Sequence, residues 1–241
     1  MDRLETLATT KKLYVCIEGN IGAGKSSLAE ALAKPGVCPV LGESVIVQKE
    51  PAEGVNPYLA DYYRDPARYA LGMQVYLLSQ RRRMQMAAQA LCLAGHASVI
   101  ADRSYFGDRC FAEVQRDLGY FSAADFSTYL SLHKDMQAEL LYPSAFVHLV
   151  ASPELCQRRI ARRRSEIAGR ECEAGISLEY LGRLDAAIDR MMTAMTRYTP
   201  VIEIAVLAED GREKTMDELC SEVLADLEAL QPTYDSWQGV G

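Results

Sequence analysis

A single α/β domain over residues 1–241, a five-stranded parallel sheet flanked by helices, is the fold class this sequence predicts. Three observations carry it. Short β-branched apolar runs alternate with longer helical patterns, as in a chain of strand–helix–strand units. A glycine-rich stretch, "GNIGAGKSS" from Gly19, sits where one such run passes into a helix. No linker or internal repeat interrupts the alternation.

The strands read as "LYVCIE" (13–18), "SVIVQKE" (44–50), "ASVIAD" (97–102), "AFVHLVA" (145–151) and "VIEIAVL" (201–207). Several are apolar on both faces, as buried parallel strands are. Helical patterns cover about 24–33, 66–93, 122–140, 153–164, 177–198 and 215–230. Asp65-Pro66 marks a helix start, with the carboxylate as cap and the proline in the first turn. The 66–93 helix would be ~40 Å long at 1.5 Å per residue. That is more apolar length than one side of a small sheet covers, and a second subunit, hence a homodimer, is the simplest partner for the excess.

Composition narrows the class. Hydrophobic residues make up 49% and charged ones 24%, as in an ordinary globular protein. A net charge of -7 argues against nucleic acid or an anionic membrane as partner. Yet Arg158, Arg159, Arg162, Arg163, Arg164 and Arg170 crowd one segment, a local basic patch suited to a small polyanion. The seven cysteines are scattered with no C-x-x-C pair, which fits a reducing compartment and leads us to expect a cytoplasmic protein. No apolar run approaches the ~20 residues of a membrane span, and no signal peptide is expected ahead of "LYVCIEG".

The motif G-x-x-x-x-G-K-S fits Gly19, Asn20, Ile21, Gly22, Ala23, Gly24, Lys25 and Ser26, with Ser27 closing the stretch 19–27. It follows a strand and opens a helix, the context in which such a loop closes its backbone N–H groups around phosphate oxygens. Lys25 then reaches the β- and γ-phosphates, and the Ser26 hydroxyl is placed to ligate Mg²⁺. A meaningless glycine turn would show the spacing without the flanking strand and helix. The chain is expected to bind ATP. It lacks the guanine-reading N-K-x-D, and at this length the extra domains of motor ATPases are not expected, which leaves the P-loop kinases of small molecules.

Ligands of parallel sheets sit beyond the carboxyl ends of the strands. Glu50, halted there by Pro51, is a candidate general base for an acceptor hydroxyl. "DRSYFGDR" at 102–109 emerges in the same place. Asp102 is a candidate Mg²⁺ ligand, and Arg103 is suited to neutralise charge on a transferring phosphoryl group. Of the second pair, Asp108 and Arg109, one acid is expected to face the site. Gln74 and Arg81, seven apart, share a helix face, and an amide offers the donor and acceptor a nucleobase edge requires. Arginines in 158–175, between two helical patterns, read as a lid over the phosphates.

"EGNIGAGKSS", "KEP", "YYRDPARYALGMQVYLLSQRRR", "DRSYFGDR", "GISLEYLGRL" and "LAED" together resemble, in order and over about 12–230, the deoxyribonucleoside kinases. The resemblance implies a Mg²⁺-dependent, ATP-using 5′-kinase that is a homodimer, with a deoxynucleoside and a nucleoside triphosphate as its partners. It implies Glu50 as the base, with Asp102 as a second candidate. Tyr63 and Glu173 would bind the sugar 3′-hydroxyl and Gln74 the base. Arg103 would lie near the 5′-oxygen, and Arg159, Arg163 and Asp210 near the nucleotide. Arg81 and Asp108 match an Arg-Asp couple of members that accept purines or deoxycytidine. Ala112 and Met73 stand where the family often has phenylalanine, so a roomier pocket and a purine are expected. A thymidylate-kinase-like monophosphate kinase and a non-catalytic P-loop subunit are the competing readings.

Overall fold

The computed structural model describes residues 12–49, 56–166 and 176–237, with the side chains of 63, 164–166 and 231–237 also outside the description. Five parallel strands form one sheet in the order β2-β3-β1-β4-β5. They are β1 (Tyr14–Glu18), β2 (Val45–Gln48), β3 (Ser98–Asp102), β4 (Ala145–Val150) and β5 (Val201–Ala205). The helices are α1 (Lys25–Leu32), α2 (Leu59–Arg64), α3 (Pro66–Leu93), α4 (Asp108–Asp117), α5 (Ala123–Gln137), α6 (Pro153–Glu166), α7 (Leu178–Met195) and α8 (Met216–Trp237). The predicted α/β class and the five strands are observed.

Alternation along the central strand builds two cores. Val15 and Ile17 face one side of the sheet, against Leu28 and Leu32 of α1, Leu155 of α6 and Val223 of α8. Tyr14 and Cys16 face the other, against Leu78 of α3, Val114 of α4, Tyr129 of α5 and Ile188 of α7. Each strand β1, β3 and β4 is thus covered on both faces, which is why their sequences are mostly apolar.

The helix starts follow local chemistry. Asp65 accepts from the Arg68 N–H at 3.3 Å ahead of Pro66, and α3 runs over the predicted 66–93. Ser122 and Asp125 form a reciprocal capping box on α5. Among the described residues, two α-helices lie outside the predicted patterns. The first is the short α2. The second is α4, into which the chain turns at Asp108; its buried positions Asp108, Ala112 and Gln115 share one face at helical spacing. Strand β5 ends two residues early, because Leu207 turns to pair with Glu213 across a tight loop.

The far half of α3 is partly covered from within the chain. Arg82 pairs with Glu139, and Gln85 and Gln89 hold the backbone of Leu141 at 2.7 and 2.8 Å. Met86 and Leu93 remain exposed on α3, beside exposed Leu141. No helix among the described residues is long and apolar enough to cross a membrane.

Candidate active site

β1 lies between β3 and β4, so the chain leaving it enters the crevice at the centre of the sheet. The loop there fits only as glycine. Gly19 has φ 151°, and a Cβ on it would lie 2.5 Å from the Leu149 carbonyl oxygen. Gly22 has φ 83°, and its Cβ would lie 2.8 Å from the Cys156 carbonyl oxygen. Asn20, buried, pins the loop to α7: its amide donates to the Leu181 carbonyl at 2.9 Å and to Asp185 at 3.2 Å. Burial raises the Asp185 carboxyl above its ordinary value. Lys25 Nζ donates across the loop to the Asn20 carbonyl at 2.8 Å. Ile21 and Gly24 are half-buried, Ala23 packs into the core, and Ser27 is exposed.

Two expected metal ligands meet. The Ser26 hydroxyl, in the first turn of α1, donates to Asp102 at the end of β3. A hydroxyl and a carboxylate side by side are hard oxygen donors, the set that Mg²⁺ takes together with phosphate oxygens. Arg103 follows with φ 75°, the one positive value for a non-glycine among the described residues. A left-handed backbone costs an L-residue ~1–2 kcal/mol. Its guanidinium donates to the Gly19 carbonyl at 3.2 Å and lies over the Phe111 ring at 4.7 Å.

The far end of the crevice holds a buried polar network. Asp108, fully buried, pairs with Arg81 at 2.5 Å and accepts from Tyr129 Oη at 2.6 Å. Burial first, then Asp108, pushes the Tyr129 phenol far above its ordinary value, so it stays a donor. Gln74 is also fully buried. Its Nε2 donates to the Asp108 carboxylate at 2.8 Å and to the Asp108 carbonyl at 3.2 Å. Its Oε1 accepts from Gln115 Nε2 at 2.7 Å. The expectation of a Gln74 amide turned toward a ligand therefore meets an amide already held by Asp108 and Gln115. Arg81 also lies 5.1 Å from the Phe111 ring, so a single ring touches the arginines of both ends of the site. Ala112 is buried within the same core, on α4 between Asp108 and Gln115.

The first part of the basic segment is helical. Arg159 and Arg163 lie on α6, one turn apart. Arg159 Nη1 donates to the Ala23 carbonyl at 2.5 Å, and Nη2 donates to Glu213 at 2.8 Å, which holds the Glu213 carboxyl below its usual range. Arg159 is thus fastened to the phosphate loop itself. Asp210 sits in the turn before Glu213, and accepts from the Arg212 N–H at 3.0 Å. Glu50, Arg170 and Glu173 lie outside the described residues; Tyr63 falls on α2, its side chain outside the description.

Sequence reasoning missed Phe111, Gln115 and Tyr129. The only signal for Gln115 was its spacing of seven from Asp108 on one helix. Tyr129 lies on another helix and gave none.

The deoxynucleoside kinase family model matches residues 15–227. This chain belongs to the deoxynucleoside kinase family. Its kinase relatives include a deoxyadenosine kinase of Dictyostelium discoideum, 35% identical over 191 residues, 79% of this chain and 71% of the relative. A deoxyguanosine kinase of the same organism is 34% identical over 197 residues, 80% of this chain and just under two thirds (65%) of the relative. The solved M. mycoides deoxyadenosine kinase, with dCMP bound, shares the fold at a TM-score of 0.73 and 24% identity, covering 90% of this chain and 100% of that one. A deoxynucleoside kinase is a phosphotransferase, and membership sets aside the thymidylate-kinase and non-catalytic readings.

Proposed function

We propose that this kinase moves the γ-phosphoryl group of ATP to the 5′-hydroxyl of purine deoxynucleosides, deoxyadenosine or deoxyguanosine, with deoxycytidine accepted and thymidine poor. The buried Arg81–Asp108 couple, held against Gln74 and Tyr129, carries the reading. A guanidinium fixed by a carboxylate can donate to a purine N7 or a carbonyl. The C5-methyl of thymine would instead meet a buried charge pair. Small Ala112 favours a bicyclic base, and the Dictyostelium relatives are named for purine deoxynucleosides. Competition among the four natural deoxynucleosides tests it: a preference for thymidine over both purines refutes it.

In this reading Glu50 takes the 5′-hydroxyl proton, and Arg103 neutralises charge on the phosphoryl group. Tyr63 and Glu173 hold the sugar 3′-hydroxyl. Ser26 and Asp102 would hold Mg²⁺, which supplies charge neutralisation at the phosphates when bound. Lys25 and the loop N–H groups hold the nucleotide from below, and Arg159 keeps that loop closed.

Among the described residues, Arg159 donates to the phosphate loop and to Glu213, away from the base end. Arg159→Ala should therefore lower kcat on every deoxynucleoside by a similar factor. Steady-state assays on all four substrates check this, and a loss confined to one base contradicts it.

The enzyme is proposed to be a homodimer through α3 and α5. Met86, Leu93 and Leu141 supply exposed apolar area along that side. Light scattering at micromolar concentration should report twice the 26.7 kDa chain mass, and a clean monomer would refute the dimer. The scattered cysteines support a place in the reducing cytoplasm, in nucleotide salvage.

A further inference from the structure

Glu18 ends β1 as a fully buried acid, and no role above uses it. Its Oε1 accepts two hydrogen bonds of 2.7 Å, from the Ser104 N–H and the Ser104 hydroxyl. Its Oε2 has no hydrogen-bond partner among the described residues, and lies 3.6 Å from Arg103 Nη1. Ser104 Oγ in turn accepts from the Gly107 N–H at 3.0 Å. Gly107 has an ordinary φ of -66°, so backbone freedom does not explain it. Space does: a Cβ there would come 2.1 Å from Glu18 Oε1.

These contacts surround the left-handed turn at Arg103. A carboxylate bound through one oxygen to residue 104 and facing the residue 103 guanidinium with the other fixes both backbone and side chain. We propose that Glu18 is a positioning residue for phosphoryl transfer: it locks the Arg103–Ser104 turn and aims the Arg103 guanidinium across Gly19, and Gly107 keeps the space its carboxylate needs. The proposal rests on Arg103 acting on the phosphoryl group. Glutamine cannot replace the acid, because with Oε1 kept on Ser104 its NH₂ would face the guanidinium, donor against donor. Aspartate, one methylene shorter, cannot reach both partners.

The test uses the full chain, with Glu18→Gln made in wild-type and Arg103→Ala backgrounds. Thermal denaturation and ATP-analogue binding monitor folding. Glu18→Gln should lower kcat by about ten-fold or more, less than the ~10²–10³ lost with a transition-state donor itself. KM for ATP and nucleoside should stay within about two-fold, since the lost interaction belongs to the transition state. In the Arg103→Ala background it should lower kcat no further. Added guanidinium ion should restore part of the Arg103→Ala activity, and should fail once Glu18 is also Gln. An equal loss in both backgrounds, or equal guanidinium rescue with and without Glu18, overturns the proposal. If Arg103→Ala alone leaves kcat intact, the reading of Arg103 fails and this one falls with it. Should Glu18→Gln not fold, Gly107→Ala displaces the same carboxylate and is measured for the same loss of guanidinium rescue.

Discussion

Asp108→Ala should destabilise the enzyme by about 3–5 kcal/mol, the usual cost of breaking a buried ion pair by removing one partner. Arg81 is buried on α3, and the substitution takes the Asp108 carboxylate away from its guanidinium, from the Tyr129 hydroxyl and from one of the Gln74 amide bonds. Activity on every deoxynucleoside should fall with it. Removing both charges, as Arg81→Met with Asp108→Ala, should cost less stability than Asp108→Ala alone, because neither charge of the pair is then left behind. The double variant should gain kcat/KM on thymidine and lose it on the purines. Urea unfolding and a four-substrate assay read both effects. A single variant within about 1 kcal/mol of wild type would show that water reaches Arg81 and that the pair is no core element.

The other large effect is expected at Glu50. Glu50→Gln keeps the shape of the side chain and removes the base, so kcat should fall ~10²- to 10⁴-fold, the usual contribution of a positioned base. ATP binding should change little, because the phosphate loop and Lys25 are untouched. Single-turnover rates together with nucleotide titration separate the two. A variant with near wild-type kcat would move proton removal to Asp102, whose carboxylate already accepts from Ser26 at the phosphate end.

Much of the scaffold was legible in the sequence because it is written in short-range patterns. The apolar run at β1, the glycine spacing after it and the Asp65-Pro66 start of α3 each need only neighbours within a few residues to be read. Helix α4 was harder. Its buried Asp108, Ala112 and Gln115 keep helical spacing, but the ten-residue run is half charged, and which faces it buries is settled by its packing between α3 and α7.

The sequence by itself determined the five strands and six of the described helices, the phosphate loop, and the place of Asp102 and Arg103 at the end of β3. These depend on backbone propensity, steric limits at glycine and the period of apolar side chains, all of them local. Only the tertiary structure decided how those groups are shared out. Gln74 and Gln115 are 41 residues apart, Tyr129 and Asp108 are 21 apart, and Glu18 and Ser104 are 86 apart. No local rule pairs them. A buried polar group must find a partner wherever the packed helices leave one, and that is fixed by which faces of α3, α4 and α5 meet over the sheet. The same packing explains Gly107, just ahead of α4, whose missing side chain answers to the Glu18 carboxylate at the end of β1.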